Sequence, residues 1–486
     1  MNAKPGISEM SLWLQLGQRM VGVMTTAALL AGTIALPGVA QTMPAIEGTL
    51  VFTLTDLEGA EMLDVDPTSG RVVVVGGDTA TLVQVDGDMM QVVATWTLSE
   101  EYLPEGSTAA ELTGVSISAD GSFALVGVKD DDDANLETFD EVPGKVVALS
   151  LPDLQPIGQI TVGRGPDSVA IAPSGEFAAV ANEDEENEED LTNPENRSGS
   201  ISIIDLRSGL DSMTQVEVPL PTEGIPFFPG DAQPETVKIS ADGSFILATL
   251  QENNAIARIE VPSPLPATLS ADAFTVTNFD AGLRTGSGLV MDNAGEGACR
   301  SSSYDLSLRE SFTSAREPDG IALTPDGRYF VTADEDNLVN ANAQSYNGVE
   351  VGPHGGRSIS IFDATTGELV ADSGDAIEEA VVELRLPQRC RSKGPEPEVV
   401  SVGEVGDRVL AFVALERSDA VAIFDLTDPT MPSLADVVIL NPEVVGTDME
   451  AGLEPEGVEF LSGRNQVVVS NPENGSLSLI NVTVGE

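Results

Sequence analysis

Positive charge is what this chain most lacks. Its 486 residues hold 23 lysines and arginines against 79 aspartates and glutamates, a formal net charge of −56, and only five of the bases are lysine. Nothing this acidic offers a basic face to phosphates, which excludes nucleic acid as a partner. Such a charge keeps a chain soluble, draws cations and adds a self-repulsion that salt or bound metal relieves. Histidine occurs once, as His354, and cysteine twice, as Cys299 and Cys390. Zinc, copper and iron centres draw on imidazole and thiolate, so those metals are poor candidates. There is no CxxC pair, no nucleophile elbow, no Walker loop and no dinucleotide fingerprint, which leaves dithiol redox, serine-hydrolase and nucleotide chemistry without support. The two cysteines suit an oxidising compartment and are expected to form a structural disulfide around the fifth repeat.

Long hydrophobic runs are also missing, apart from Val21–Leu36. Lys4 and Arg19 precede that run, and Pro37-Gly-Val-Ala40 follows it with the small residues of a cleavage site. Residues 1–40 therefore read as a secretory signal peptide, too short in its apolar part for a bilayer span. No cysteine follows for a lipid anchor, and Ile480-Asn-Val-Thr-Val-Gly-Glu486 reads as a strand end without a hydrophobic tail. The mature chain, 41–486, is expected to be exported, periplasmic or extracellular, with no membrane span.

What the chain has is a repeat, with 41% hydrophobic residues to build its core. Six segments align on a short apolar strand entered by an acid: Glu61-Met-Leu-Asp-Val-Asp-Pro67, Asp167-Ser-Val-Ala-Ile-Ala-Pro173, Glu235-Thr-Val-Lys-Ile-Ser-Ala241, Asp319-Gly-Ile-Ala-Leu-Thr-Pro325, Glu398-Val-Val-Ser-Val-Gly-Glu404 and Glu456-Gly-Val-Glu-Phe-Leu-Ser462. A seventh, Thr113-Gly-Val-Ser-Ile-Ser-Ala119, keeps the strand without the acid. Turns such as Ala119-Asp-Gly121 and Pro325-Asp-Gly327 lead into second strands. Third strands alternate with period two, as in Gly199-Ser-Ile-Ser-Ile-Ile-Asp205 and Arg357-Ser-Ile-Ser-Ile-Phe-Asp363. Seven such third strands predict an all-β fold, a single β-propeller of seven four-stranded blades. Outer strands are predicted near Val92–Leu98, Gly158–Val162, Gln215–Val218, Phe274–Phe279, Val381–Leu386 and Ala435–Leu440. The seventh blade runs out of chain, and 49–55 is predicted to close the ring as its missing strand. Long insertions around blade 5, at 280–316 and 337–356, leave six or eight blades open as counts.

Equivalent positions of a ring converge. Glu61, Asp167, Glu235, Asp319, Glu398 and Glu456 are thus predicted to meet at one pore mouth. The loops joining second to third strands lie on the same face and add Asp78, Asp130–Asp133, Glu183–Glu186, Glu252, Asp334–Asp336, Glu416 and Glu473, of which Glu183, Glu252, Asp334 and Glu416 form a secondary set. Crowded carboxylates repel, and a bound cation removes that cost. Hard divalent ions take oxygen ligands, which points to Ca²⁺ first and Mg²⁺ second. The bland alternative is a solvated acidic surface suited to a saline habitat. Asp130–Asp133 with Asn135 and Glu141 lacks the glycine of an EF-hand loop. His354, in Gly352-Pro-His-Gly-Gly356, reads as a turn residue. Arg316, Arg417 and Lys393 lie beside the acidic face, either to hold a phosphate or to balance carboxylates.

Longer strings carry a family resemblance. Pro234-Glu-Thr-Val-Lys-Ile-Ser-Ala-Asp-Gly243, Arg316-Glu-Pro-Asp-Gly-Ile-Ala322, Lys393-Gly-Pro-Glu-Pro-Glu398, Ala411-Phe-Val-Ala-Leu-Glu-Arg417 and Glu454-Pro-Glu-Gly457 together resemble the choice-of-anchor I family, related to the sea-urchin mesenchyme-specific cell-surface glycoprotein. The resemblance implies an exported β-propeller, usually tethered to the cell exterior. It links eukaryotic relatives to calcium biomineral deposition and some bacterial relatives to alkaline phosphatase. It carries over no catalytic residues. Where members often read Asp-Asn before Lys-Gly-Pro-Glu-Pro-Glu, this chain has Arg391-Ser392. Three readings stay open: a protein binding divalent cations, or a cell-surface or matrix component, through its acidic face; a Ca²⁺-dependent phosphoester hydrolase; and a secreted scaffold without a ligand. Whether the protein is an enzyme is not decided by the sequence.

Overall fold

The computed structural model describes residues 45–132, 142–184, 197–289, 304, 309–335, 344–346, 349–352, 355–390 and 393–485. The period-two segments become strands because their β-branched residues fit a pleated, half-buried surface. They assemble into seven four-stranded antiparallel sheets, six of them built from strands in chain order. The innermost strands are Met62–Asp66, Ala110–Ile117, Pro166–Ile171, Pro234–Ile239, Pro318–Leu323, Pro397–Val405 and Val458–Leu461, in blades 1 to 7. Each packs on the next, and the seventh returns to the first. Every gap between consecutive blades holds its own apolar cluster, such as Val180, Leu125 and Ile204 between blades 2 and 3 and Phe412, Phe460 and Ile480 between blades 6 and 7. The core is therefore seven cores around an axis that stays polar.

Ring closure follows the sequence expectation. Ile46–Leu54 pairs antiparallel with Ser476–Val484, with Ile46 opposite Val484 and Leu54 opposite Leu477. It becomes the outer strand of blade 7 and removes the edge that an incomplete sheet would expose. Gly48 N–H donates to Asp436 of blade 6 at 2.8 Å. A Cβ at Gly48 would come within 2.7 Å of Ile423, so the close approach requires glycine.

One predicted strand is a helix. Val381–Leu386 was the expected outer strand of blade 5; the outer strand is instead the short Leu369–Asp372, and Ala376–Leu384 is α-helical. The helix buries Ile377, Glu378, Val381 and Val382, whose spacings of three and four residues belong to a helix and not to a strand. Glu378 and Glu379 sit in its first turn, where carboxylates suit the helix dipole. The start of the helix also anchors the hairpin Leu283–Leu289 with Arg309–Ala315, which leads from blade 4 to blade 5. Asp375 takes the Arg284 guanidinium at 2.5 Å and the Ser287 hydroxyl at 2.7 Å, and Glu378 accepts from Leu289 N–H at 2.7 Å.

Candidate metal centre at the ring axis

The acids at the strand entries are aimed by a local irregularity. In blades 3, 4, 5 and 6 the pairing of first and second strands shifts register immediately around Asp167, Glu235, Asp319 and Glu398. A bulge of this kind re-aims a side chain. A proline precedes each of these acids (Pro166, Pro234, Pro318 and Pro397) and Pro455 precedes Glu456. Proline has no N–H to give the ladder, which suits it to such a spot. Glycine follows where neighbouring strands touch: a Cβ on Gly320 would lie 2.5 Å from Glu398 O, and one on Gly114 2.6 Å from Asp167 O.

The six aligned acids meet as their spacing predicts. Glu61, Asp167, Glu235, Asp319, Glu398 and Glu456 line a single cavity of ≈ 310 Å³, joined by Glu111 and Lys129. Around them lie three groups whose carboxylate oxygens come within 4.8 Å of one another: Glu183, Glu235 and Glu252; Asp319, Glu335 and Glu398; and Glu335, Glu396 and Glu416. Glu183, Glu252 and Glu416 of the secondary set therefore join the mouth.

Burial and repulsion from neighbouring acids push the carboxyls of Glu61, Glu235, Asp319, Glu398, Glu416 and Glu456 toward the protonated form. Glu61 rises to about 7, from burial first and then Glu111 and Asp167. Glu456 rises to about 8, from burial and then Glu61. Glu235, Asp319 and Glu398 all lie well above the ordinary carboxylate range, from burial and then the neighbouring acids. Glu416 reaches about 11, with burial ahead of its contact with Glu396. The Glu398 Oε2 atom is buried without a hydrogen-bond partner.

Lys393, Arg417 and Arg389 near the mouth balance carboxylates. Lys393 pairs with Glu335 at 2.8 Å. Arg417 pairs with Glu396 at 2.9 Å and Glu416 at 2.6 Å, and also with Glu454. Arg389 reaches Glu396 at 3.3 Å. Arg316 is buried inside blade 5, bonded to Ser360 at 2.7 Å and Asp372 at 2.8 Å, away from any incoming phosphate. Gln251 donates to Glu335 and ties blade 4 to this cluster.

Asp334 is placed differently from its sequence assignment. Its carboxylate accepts the hydroxyls of Thr332 at 2.7 Å, Ser358 at 2.7 Å and Ser360 at 2.5 Å, inside the blade. The adjacent Glu335 turns to the mouth instead, as alternation along a strand requires. Glu111 and Gln251 were not singled out from the sequence. Glu111 carries a signal only in hindsight of the register, two residues ahead of the acid-free Thr113. Asp130 is buried and accepts from Val142 N–H at 3.1 Å, a loop-closing role. Asp133, Asn135, Glu141, Glu185, Glu186, Asp336, His354 and Cys299 lie outside the described residues.

The donor set is carboxylate throughout, which fits a hard, oxygen-seeking cation and not a soft one. Fold and site together define a seven-bladed β-propeller with an acid-lined axial mouth. The chain belongs to the choice-of-anchor I domain family, which matches residues 61–265 and 350–429. Gigasin-3a of Magallana gigas is 27% identical over 161 residues, covering 26% of this chain and 56% of that protein, so the match spans about half the length of this curated relative. Among solved structures, the β-propeller domain of Myceliophteria thermophila Cps50 (Swd1) is similar at a TM-score of 0.53 and 12% identity, over 90% of this chain and all of that one. Kuenenia stuttgartiensis hydrazine synthase is similar at 0.52 and 15%, over 88% of this chain and 97% of that one. These two likenesses speak to the fold alone. Among the described residues no helix is long and apolar enough to cross a membrane.

Proposed function

We propose that this protein is an exported acidic β-propeller that binds Ca²⁺, with Mg²⁺ as the weaker alternative, in the mouth lined by Glu61, Asp167, Glu235, Asp319, Glu398 and Glu456. The observation that carries the reading is the convergence of these six acids on one cavity, where burial and repulsion raise the pKa values of Glu61, Glu235, Asp319, Glu398 and Glu456. A divalent cation removes that repulsion and displaces the protons, so binding and proton release are coupled. A cation held at a surface mouth keeps open coordination positions, through which a cell-surface or matrix component supplies oxygen ligands. Export is supported by the signal-like residues 1–40, with 41–486 as the mature propeller. A disulfide between Cys390, which is fully buried, and Cys299 fits that compartment.

Calcium-dependent phosphoester hydrolysis has less support. Such chemistry needs several cationic groups to receive the phosphate beside the metal; the cavity lining includes a single base, Lys129, and Lys393, Arg417 and Arg316 are each held by carboxylates. The deciding experiment is thermal unfolding of the mature protein in EDTA, Ca²⁺, Mg²⁺ and matched ionic strength, with phosphoester turnover assayed alongside. A Ca²⁺-specific rise without turnover is the expected result. Turnover would restore the hydrolase, and a rise reproduced by ionic strength alone would leave a scaffold with a solvated acidic face.

A further inference from the structure

A second cavity lies on the same axis, toward the turns at the far ends of the inner strands. It measures ≈ 400 Å³ and is bounded by the inner strands of blades 1 to 4 and by Glu459 of blade 7. Its character is set by the residue three places after each mouth acid and, in blade 2, after Thr113. That place holds Asp64, Ser116, Ala170, Lys238, Ala322, Ser401 and Glu459. Small side chains at the other four places leave the space, and the three charged ones furnish it.

Lys238 reaches across the axis from blade 4 to Glu459 of blade 7, with Nζ 3.0 Å from Oε1. The Ser401 hydroxyl donates to the other Glu459 oxygen at 2.9 Å. Both oxygens of Glu459 are thus engaged. Asp64 is pinned by two backbone donors, Val65 N–H at 2.7 Å and Ile117 N–H at 2.6 Å. Among the described residues no ion pair is made by Asp64. Two carboxylates therefore face one ammonium, which leaves one negative charge in surplus. Asp66, at the rim, is occupied by its own turn, accepting from Thr68 N–H at 2.9 Å and the Ser69 hydroxyl at 2.5 Å.

We propose that this chamber binds a small organic ammonium ion, its nitrogen on Asp64 and its aliphatic part against the wall that includes Val65, Ile171 and Ile239. The site is separate from the cation mouth and does not rest on that reading. A divalent metal fits the chamber poorly, because it needs six or more oxygens and both Glu459 oxygens are already engaged. A free anion fits poorly as well, since the one cation is already paired. An alkylammonium needs a single fixed carboxylate and an apolar wall, and both are present. Burial, and then repulsion from Glu459, raise Asp64 to about 7, while Lys238 and the two backbone donors act the other way. Lys238 itself is held in its charged form by Glu459 first and Asp64 next. A cationic ligand prefers ionised Asp64, so its affinity should strengthen as pH rises through neutrality.

The test is ligand-observed NMR of n-butylammonium with the intact protein in excess Ca²⁺. Binding at pH 8 is expected, with affinity lowered about tenfold or more in Asp64→Asn, the value of a hydrogen bond to a charged group. Asp319→Asn, at the mouth, should leave it unchanged. The wild-type protein alone supplies a second readout, since its affinity should fall several-fold between pH 8 and pH 6. No binding to wild type overturns the proposal. So does equal affinity in Asp64→Asn, or a loss confined to Asp319→Asn, which would make butylammonium a counter-ion of the mouth. An affinity independent of pH overturns it too.

Discussion

Arg316 and Asp334 face each other inside blade 5, Nη1 3.8 Å from Oδ2, with their side chains 3% and 0% exposed. Three hydroxyls complete the carboxylate's shell. Removing Asp334 leaves Arg316 its shorter pair with Asp372 but takes the acceptor from three buried hydroxyls, at a cost of about 1–3 kcal/mol. Asp334→Ala should lower stability by that amount in urea unfolding, yet leave the response to Ca²⁺ intact. A loss of calcium response in a variant that remains folded would return Asp334 to the mouth.

The mouth itself is tested by Asp167→Asn, Glu235→Gln and Asp319→Asn combined. Ligand at 100 times its Kd adds about 2.7 kcal/mol to a folded protein. That increment should appear in the wild-type melt with Ca²⁺ and vanish in the triple variant. Because the substitutions also relieve repulsion, the variant's metal-free melting temperature should rise. Unchanged calcium sensitivity would sink the mouth as a metal site.

Acid titration supplies a third check. Glu61 and Glu456 move from their ordinary 4.5 to about 7 and about 8, in both cases from burial first. Between the ordinary and the folded value the folded chain binds more protons than the unfolded one. Stability is therefore complete below about pH 4.5 as far as these groups are concerned, and falls as pH rises toward about 8. Metal-free protein should show a melting temperature that declines across this window, and saturating Ca²⁺ should remove most of the decline. A melt that is flat without metal would mean the carboxylates do not repel as their positions imply.

Reduction addresses the cysteines. Cys390 packs with Leu289, Tyr304 and Val382 in a small cluster beneath the hairpin and helix at blade 5. If it is bridged to Cys299, dithiothreitol should cost about 2–5 kcal/mol. Intact mass after alkylation under denaturing conditions checks the bridge directly, and two modified thiols without prior reduction would end the idea.

Most of the fold was legible because each blade repeats one grammar. The strand Ser200–Asp205 and its counterparts alternate so regularly that their number set the blade count, and the strand at Ile46–Leu54 filled a place that arithmetic had left open. The helix at Ala376–Leu384 breaks the repeat, so the blade pattern predicts a strand there, although its buried Ile377 and Val381 carry the helical period. Convergence of the six acids was legible from ring symmetry. The split between Asp334 and Glu335 was not, because adjacent residues on a strand end point to opposite sides and only the register decides which. Lys238 and Glu459 are 221 residues apart, on blades 4 and 7, and no local pattern announces that pairing.

The pairing of Ile46 with Val484 also has a mechanical meaning. The two ends of the folded chain leave from the same end of one antiparallel ladder. A force drawing them apart loads the bonds between them singly, peeling the strands like a zipper, whereas ends leaving at opposite tips would load every bond in shear. The ring's first strand to yield under tension is thus the one that closes it, and its bond from Gly48 to Asp436 carries the pull to blade 6 as well.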